Sequence, residues 1–312
     1  MNFRRLGGSG LKVSEISLGS WLTYGGYVER ENASKAVQTA YELGVNFFDT
    51  ANVYERGAAE QVLGDILKAY PRESYVLATK AFWPMGDGPN DRGLSRKHVI
   101  EQCNASLKRL GVDYVDIFYC HRHDPETPVY ETLRTIDDLI RQGKVLYAGV
   151  SEWTAAQMAE AIGMADRYLL DRIVVNQPVY NMLDRYIEKE VIPFGERNGI
   201  GQVVFSPLAQ GLLTGKYKTA SDIPADSRAA KLEWVRKGIT EEKLNKVSAL
   251  ADIAAELELT TGQLALAWVL RQTNVASALV GASRPEQVVE NVKAAGIVLS
   301  AEVLERIESL LA

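Results

Sequence analysis

The sequence predicts a closed (β/α)8 barrel of the TIM type, a single domain over residues 1–312, with a β-hairpin before the barrel and a helix after it. Eight near-continuous apolar runs carry that prediction, because unbroken rather than alternating apolarity marks strands buried on both faces. Between them lie segments of helical period with charged opposite faces, so the order is βα throughout. The runs starting near positions 45, 75, 115, 145, 173 and 203 are spaced by roughly one βα unit of about 30 residues. Eight units favour closure over an open doubly wound sheet, and right-handed crossovers then place the helices outside.

The elements follow in chain order. Residues 3–6 and 11–15 flank Gly7, Gly8, Ser9 and Gly10 and read as a hairpin capping the barrel bottom. The strand runs are 16–18, 45–48, 75–78, 115–120, 145–150, 173–175, 203–205 and 276–280. Helical faces are clearest at Val99, Cys103, Leu107 and Leu110, and at Val129, Leu133, Ile136 and Ile140. Two long loops, 81–94 and 206–237, follow the third and seventh runs, on the face where barrel enzymes carry their sites. Residues 198–215 carry no charge, yet Gly199, Gly201, Pro207, Gly211 and Gly215 break the stretch, so it reads as strand and loop rather than membrane span. Ser300, ahead of Val303, Leu304, Ile307, Leu310 and Leu311, caps an amphipathic terminal helix.

Composition narrows the function. Lys and Arg number 35 against 40 Asp and Glu, a net charge of −5, which offers nucleic acid or an anionic membrane no general attraction and points to a small-molecule partner. Cys103 and Cys120 have no paired metal or disulfide spacing, and the first ten residues lack a signal-peptide core; a reducing, cytoplasmic setting is expected.

Strand ends in a barrel converge on one mouth. Asp49 ends the second run, Lys80 the third, His121 the fourth, Ser151 and Glu152 the fifth, Gln177 the sixth and Ser206 the seventh, with Tyr54 one short loop beyond Asp49. A lysine ending a buried strand requires a partner, and Asp49 is the natural one. An adjacent ammonium stabilises phenolate and lowers a phenol's pKa from near 10. Tyr54 could then protonate a carbonyl oxygen that His121 orients, while a nicotinamide or flavin delivers hydride, which no side chain can do. Singly, each residue has a structural explanation: a half-buried loop tyrosine, an interior histidine, a helix cap. Their joint occurrence at adjacent strand ends is what points to chemistry.

Other motifs fail. His121 and His123 suggest a metal site, but His98 is the only other histidine and lies at a helix start away from the mouth. Gly8 and Gly10 lack the third glycine of a dinucleotide fingerprint, since Val13 stands there. The stretch 211–217 is one residue short of a P-loop. Beyond the eighth run, Gly281, Ser283 and Arg284 open a helix, with Ser283 and Glu286 at capping-box spacing. A helix N-terminus and a planar guanidinium suit a phosphate such as an adenosine 2′-phosphate, with Lys216 a second charge. A capped helix with an exposed arginine explains the same residues. Trp21, Tyr24, Trp83 and Met85 are candidates for an apolar substrate pocket at the mouth.

FRRLGGSGLKVS, NFFDTANVY, GLSRKHVIE, YVDIFYCHRHDPETP, SPLAQGLLTGKY and GASRPEQVVENV together cover nearly the whole chain. With them the sequence resembles the aldo-keto reductases, in the branch holding the voltage-gated potassium channel beta subunits and their bacterial relatives. The resemblance implies a (β/α)8 barrel using a nicotinamide cofactor without a separate dinucleotide domain, and Arg284 favours NADPH over NADH. It implies a tetrad of Asp49, Tyr54, Lys80 and His121, with Tyr54 the proton donor. Ser151 and Gln177 would hold the nicotinamide carboxamide, Phe205 would stack on its ring, and Ser206, Leu208, Gly211 and Lys216 would line the pyrophosphate. Ser283, Arg284, Gln287, Glu290 and Asn291 would surround the adenosine end. The channel subunits tend to carry asparagine where this chain has His121, so the chain looks more like a working reductase. Many relatives have asparagine where Glu152 stands, and an ionised carboxylate cannot donate a hydrogen bond. The expected function is NADPH-dependent reduction of aldehydes or ketones to alcohols; relatives include monomers and ring tetramers, so a monomer and a homo-oligomer both stay open. A slow cofactor-sensing subunit and a Schiff-base aldolase using Lys80 are the alternatives.

Overall fold

The computed structural model describes residues 1–21, 24, 26, 30–219, 222–224 and 227–311. An antiparallel hairpin of β1 (Phe3–Arg5) and β2 (Lys12–Ser14) comes first. Eight parallel strands follow: β3 (Ile16–Gly19), β4 (Phe47–Asp49), β5 (Val76–Ala81), β6 (Val115–Cys120), β7 (Val145–Ser151), β8 (Val175–Gln177), β9 (Gly201–Phe205) and β10 (Val275–Val280). Each pairs with the next in sequence, and β10 closes the barrel on β3. Each of the eight apolar runs overlaps a barrel strand, the sixth by Val175 alone, and pairing carries several past the last apolar residue to a polar end at Asp49, Ser151 or Gln177.

The crossovers are α1 (Arg30–Glu42), α2 (Ala58–Leu67), α3 (Arg96–Leu110), α4 (Val129–Arg141), α5 (Ala155–Tyr168) and α6 (Val191–Asn198). Between β9 and β10 stand α7 (Arg228–Lys231), α8 (Glu233–Lys237), α9 (Glu241–Glu256) and α10 (Thr261–Leu270). After β10 come α11 (Pro285–Val292) and α12 (Ala301–Leu311). Capping explains where several start. Ser95 accepts from the His98 amide ahead of α3, and Thr154 with Gln157, and Thr260 with Gln263, form reciprocal capping boxes. As expected, Ser300 Oγ accepts from the Val303 amide ahead of α12. The capping box expected at Ser283 and Glu286 does not form. Arg284 is the extended cap residue, Pro285 opens α11, and the Gln287 carboxamide oxygen accepts from the Ser283 amide at 2.8 Å instead.

Two cores result. One fills the barrel interior with Phe47, Ile117, Tyr119, Val175, Val203 and Ala276, joined from below by Leu6 and Val13 of the hairpin. The larger lies between strands and helices. The hairpin thus plugs the bottom, with the Gly8 amide donating to Gly199 O at 2.8 Å. Gly7 sits at φ +57°, where a Cβ would strike the backbone of Gly199 and Gly201. The 206–237 segment is only partly loop: it holds a 3₁₀ segment (Ala209–Thr214) as well as α7 and α8. Both cysteines are buried and free. Among the described residues, no helix by itself is long and apolar enough to cross a membrane, and no cluster of His, Cys, Asp or Glu could hold a metal.

Candidate active site

A cleft of ≈ 940 Å³ opens at the C-terminal ends of the strands, with Gly19, Asp49, His121, Ser151, Gln177, Phe205 and Val280 among its lining residues. The strand register sets its floor. Asp49 ends β4 at 1% exposure, and Lys80 on β5 is fully buried. The Lys80 ammonium donates to Asp49 Oδ1 and, at 2.8 Å, to Thr50 O. Gln177 Nε2 donates to the other carboxylate oxygen of Asp49 at 2.9 Å. Both charges are thus hydrogen-bonded where almost no solvent exposure remains, the condition for burying them at all. Burial pushes the Asp49 carboxyl up and the Lys80 amine down, and each partner's charge pulls the other back.

Tyr54 opens a 3₁₀ turn after β4 (Tyr54–Gly57), and its ring lies 5.2 Å from the Lys80 ammonium and 5.8 Å, edge-on, from the His121 ring. The phenol departs from the sequence expectation. Its pKa is pushed up rather than down, first because burial disfavours phenolate and then because the Asp49 charge is near. His121, directly after β6, is 7% exposed, and its Nδ1 has no partner among the described residues. Burial, then the Lys80 and Arg122 cations, hold it well below the ordinary imidazole range, so it stays neutral.

From this floor the cleft runs along β9 and β10 to α11. Phe205, Ser206, Leu208, Gly211 and Lys216 line its middle, and Gly281, Ser283, Arg284, Gln287, Glu290 and Asn291 line its far end. Ser206, Ala209, Gln210 and Gly211 take positive φ of 52°, 47°, 57° and 93°, and such turns aim backbone N–H groups at an anion. A Cβ on Gly211 would come within 2.9 Å of Lys216 Cε and 3.0 Å of its Nζ, so glycine keeps room for that cation. At the far end, Glu290 Oε1 is buried with no hydrogen-bond partner among the described residues, an acceptor that suits a donor such as an exocyclic amine. An aromatic and reactive end, an anion cradle and an orphaned acceptor in one elongated cleft fit a phosphorylated dinucleotide.

Sixteen of the residues singled out in the sequence for cofactor or catalysis meet in this cleft, and Trp21 and Trp83 stand at its wall. Lys80 lies behind Asp49 rather than on the surface. Three expectations are corrected. Glu152 does not line the cleft: at φ 59° its carboxylate turns to accept from the Val179 amide at 2.5 Å and the Tyr186 hydroxyl at 2.9 Å. Tyr24 is 1% exposed and belongs to the core between strands and helices. Met85, within the 81–94 loop, stays off the lining. The sequence reading missed Arg122 and Arg228. Arg122 donates to His121 O at 2.6 Å and to Ser151 Oγ at 3.3 Å, and Arg228 reaches Gln210 Oε1 at 2.6 Å and lies over Trp21. The signal for Arg122 was its place directly after a strand-end histidine.

Residues 15–312 match the model of the aldo/keto reductase family. A protein of Arabidopsis thaliana described as a probable voltage-gated potassium channel subunit beta is 45% identical over 319 residues, covering 100% of this chain and 97% of its own length. One from Oryza sativa subsp. japonica with the same description is 43% identical, covering 99% and 96%. A third protein, from Schizosaccharomyces pombe, also named as a channel beta subunit, is 44% identical over 99% of this chain.

Proposed function

Because the chain belongs to the aldo/keto reductase family, we propose that it reduces aldehydes or ketones to alcohols with NADPH, Tyr54 giving the proton. The observation that carries this reading is the buried Lys80–Asp49 pair set beneath Tyr54 and beside a neutral His121, in a cleft of ≈ 940 Å³. A reduced nicotinamide, when bound, supplies hydride to the carbonyl carbon. Ser151 and Gln177 would orient its carboxamide and Phe205 its ring, while Lys216, Ser283 and Arg284 would meet phosphates and Gln287, Glu290 and Asn291 the adenosine.

The chain's own residues do the rest. Burial keeps Tyr54 protonated, so the phenol arrives at the carbonyl oxygen as a donor. As charge builds on that oxygen the proton passes to it, and the Lys80 ammonium stabilises the phenolate left behind. Asp49, fixed by Gln177, holds the ammonium in place and balances its charge. His121, neutral, can direct a ring N–H to the same oxygen. Solvent then returns the proton to Tyr54.

NADPH absorbance followed with a panel of aldehydes tests this. Decay is expected, and Tyr54→Phe should lower kcat at least about 100-fold with little change in NADPH affinity; wild-type turnover by that variant would overturn the assignment. A second reading takes support from the names of the relatives: a subunit that binds NADPH, turns over slowly and reports cofactor state to a channel. It requires a stable complex with a membrane channel and negligible aldehyde reduction. The Schiff-base aldolase has weaker support, since the Lys80 amine is fully buried and engaged by Asp49 and Thr50.

A further inference from the structure

We infer that Arg122 selects carbonyl substrates that carry a carboxylate, by pairing its guanidinium with that group beside Tyr54 and His121. The inference rests on the reductase reading and adds the substrate class. Arg122 is half-buried on the cleft wall. One nitrogen, Nη1, is spent on His121 O and Ser151 Oγ. These two bonds fix the planar group, and its Nη2 and Nε donors have no acceptor among the described residues. The same holds for a counter-ion: among the described residues, no carboxylate lies within 4 Å of the guanidinium. The nearby carboxylates that could have served are committed elsewhere. Asp49 is taken by Lys80 and Gln177, and Glu152 is turned away to Val179 and Tyr186. Glu55, exposed at the rim, makes no ion pair among the described residues.

A half-desolvated guanidinium with open donors is costly unless something anionic meets it, and its fork matches a carboxylate in two parallel bonds. Trp83 sets the span. Its ring is 5.7 Å from the Arg122 guanidinium carbon and 6.3 Å from the His121 ring. The carbonyl end and the anionic end of a substrate would therefore sit along one aromatic wall, a short apolar link or ring apart. The effect on the reaction is positioning. A carboxylate held at Arg122 pins the carbonyl under Tyr54, and a neutral aldehyde lacks that tether.

The test compares 4-carboxybenzaldehyde with benzaldehyde, which differ by the one carboxylate, with NADPH oxidation as the readout. Wild type should favour the acid in kcat/KM. Arg122→Gln should lower that preference about 10- to 100-fold, mainly through KM, the range for losing a charged hydrogen-bonded pair. Arg122→Lys, a charge without a fork, should recover part of it. An unchanged ratio between the two aldehydes overturns the inference. So does an NADPH dissociation constant, read from tryptophan quenching, that rises as much as activity falls, because Arg122 then serves the cofactor. If neither aldehyde is reduced, the reductase reading fails separately, and calorimetry of 4-carboxybenzaldehyde on the NADP-saturated protein judges the anchor. Tighter binding to wild type than to Arg122→Gln supports it, and equal heats overturn it.

Discussion

Replacing Asp49 by asparagine isolates the electrostatic logic of the site, because the side chain keeps its shape and loses only its charge. Lys80 is then a fully buried ammonium with amide and carbonyl acceptors but no carboxylate. Removing one member of a buried pair costs about 3–5 kcal/mol. At an unfolding entropy of about 2.1 cal/mol/K per residue, 312 residues give about 0.65 kcal/mol/K, so Tm should fall by about 5–8 °C at pH 7. The deficit has a definite pH dependence. Burial already lowers the Lys80 pKa, and without Asp49 it falls further below the unfolded value of about 10.4. The folded amine then releases its proton before the unfolded one does, so the deficit shrinks as pH rises toward 10 and is largest below the folded pKa. Scanning calorimetry at pH 7 and pH 9.5 reads both effects. Adding Lys80→Met should recover much of the lost stability, since it removes the stranded charge. A Tm within about 2 °C of wild type at pH 7, or a deficit that does not change with pH, would refute the account of a charged pair.

Two further outcomes follow from the same geometry. His121 is held neutral when folded, so only the unfolded chain gains its proton below about pH 6.5, and this residue withdraws stability as pH falls; His121→Asn should flatten the change in urea midpoint between pH 7 and pH 5, and an unaltered slope would contradict it. Glu152→Gln should cost about 1–2 kcal/mol through the weakened Tyr186 contact and leave NADP affinity, measured by calorimetry, within about threefold (about 0.65 kcal/mol); a larger loss of affinity would return Glu152 to the cleft.

The barrel was legible because its physics is periodic. Strands buried on two faces must be apolar without interruption, and crossover helices must be amphipathic, so both patterns survive in the linear chain. The strand ends were harder, since pairing runs past the apolar residues to Asp49, Ser151 and Gln177, yet there polarity itself was the signal. What failed depended on contacts made across the fold. Tyr24 and Trp21 are neighbours in sequence and equally aromatic, and only packing decides that one joins the core while the other lines the cleft. Spacing put a capping box at Ser283, but the Gln287 carboxamide reached it first. The phenol of Tyr54 was expected to feel a cation, whereas desolvation by burial outweighs that effect. Glu152, expected at the cofactor, and Arg122, which carried no expectation, were decided by contacts of the same kind. A carboxylate able to reach two donors outside the cleft left it, and an arginine whose donors were only partly met stayed.

Closure of the barrel is itself part of the chemistry. In the strand order, β4 and β8 stand four places apart on an eight-membered ring, on opposite walls. In an open sheet four steps of about 4.8 Å would separate them by about 19 Å, far beyond a hydrogen bond. Here Gln177 of β8 meets Asp49 of β4 at 2.9 Å, although the two are 128 positions apart in sequence. That contact crosses the narrow mouth and, with Lys80 on β5, makes a polar bar over the apolar interior of Phe47, Ile117 and Val203. The bar keeps a ligand from sinking into the barrel and leaves Tyr54 and His121 on the open side. In the proposed reaction a carbonyl compound would meet the phenol from above while the ammonium acts on it from below. The proton donor and the charge that tunes it need not compete for the same space, and an unclosed sheet built from the same residues would lack that separation.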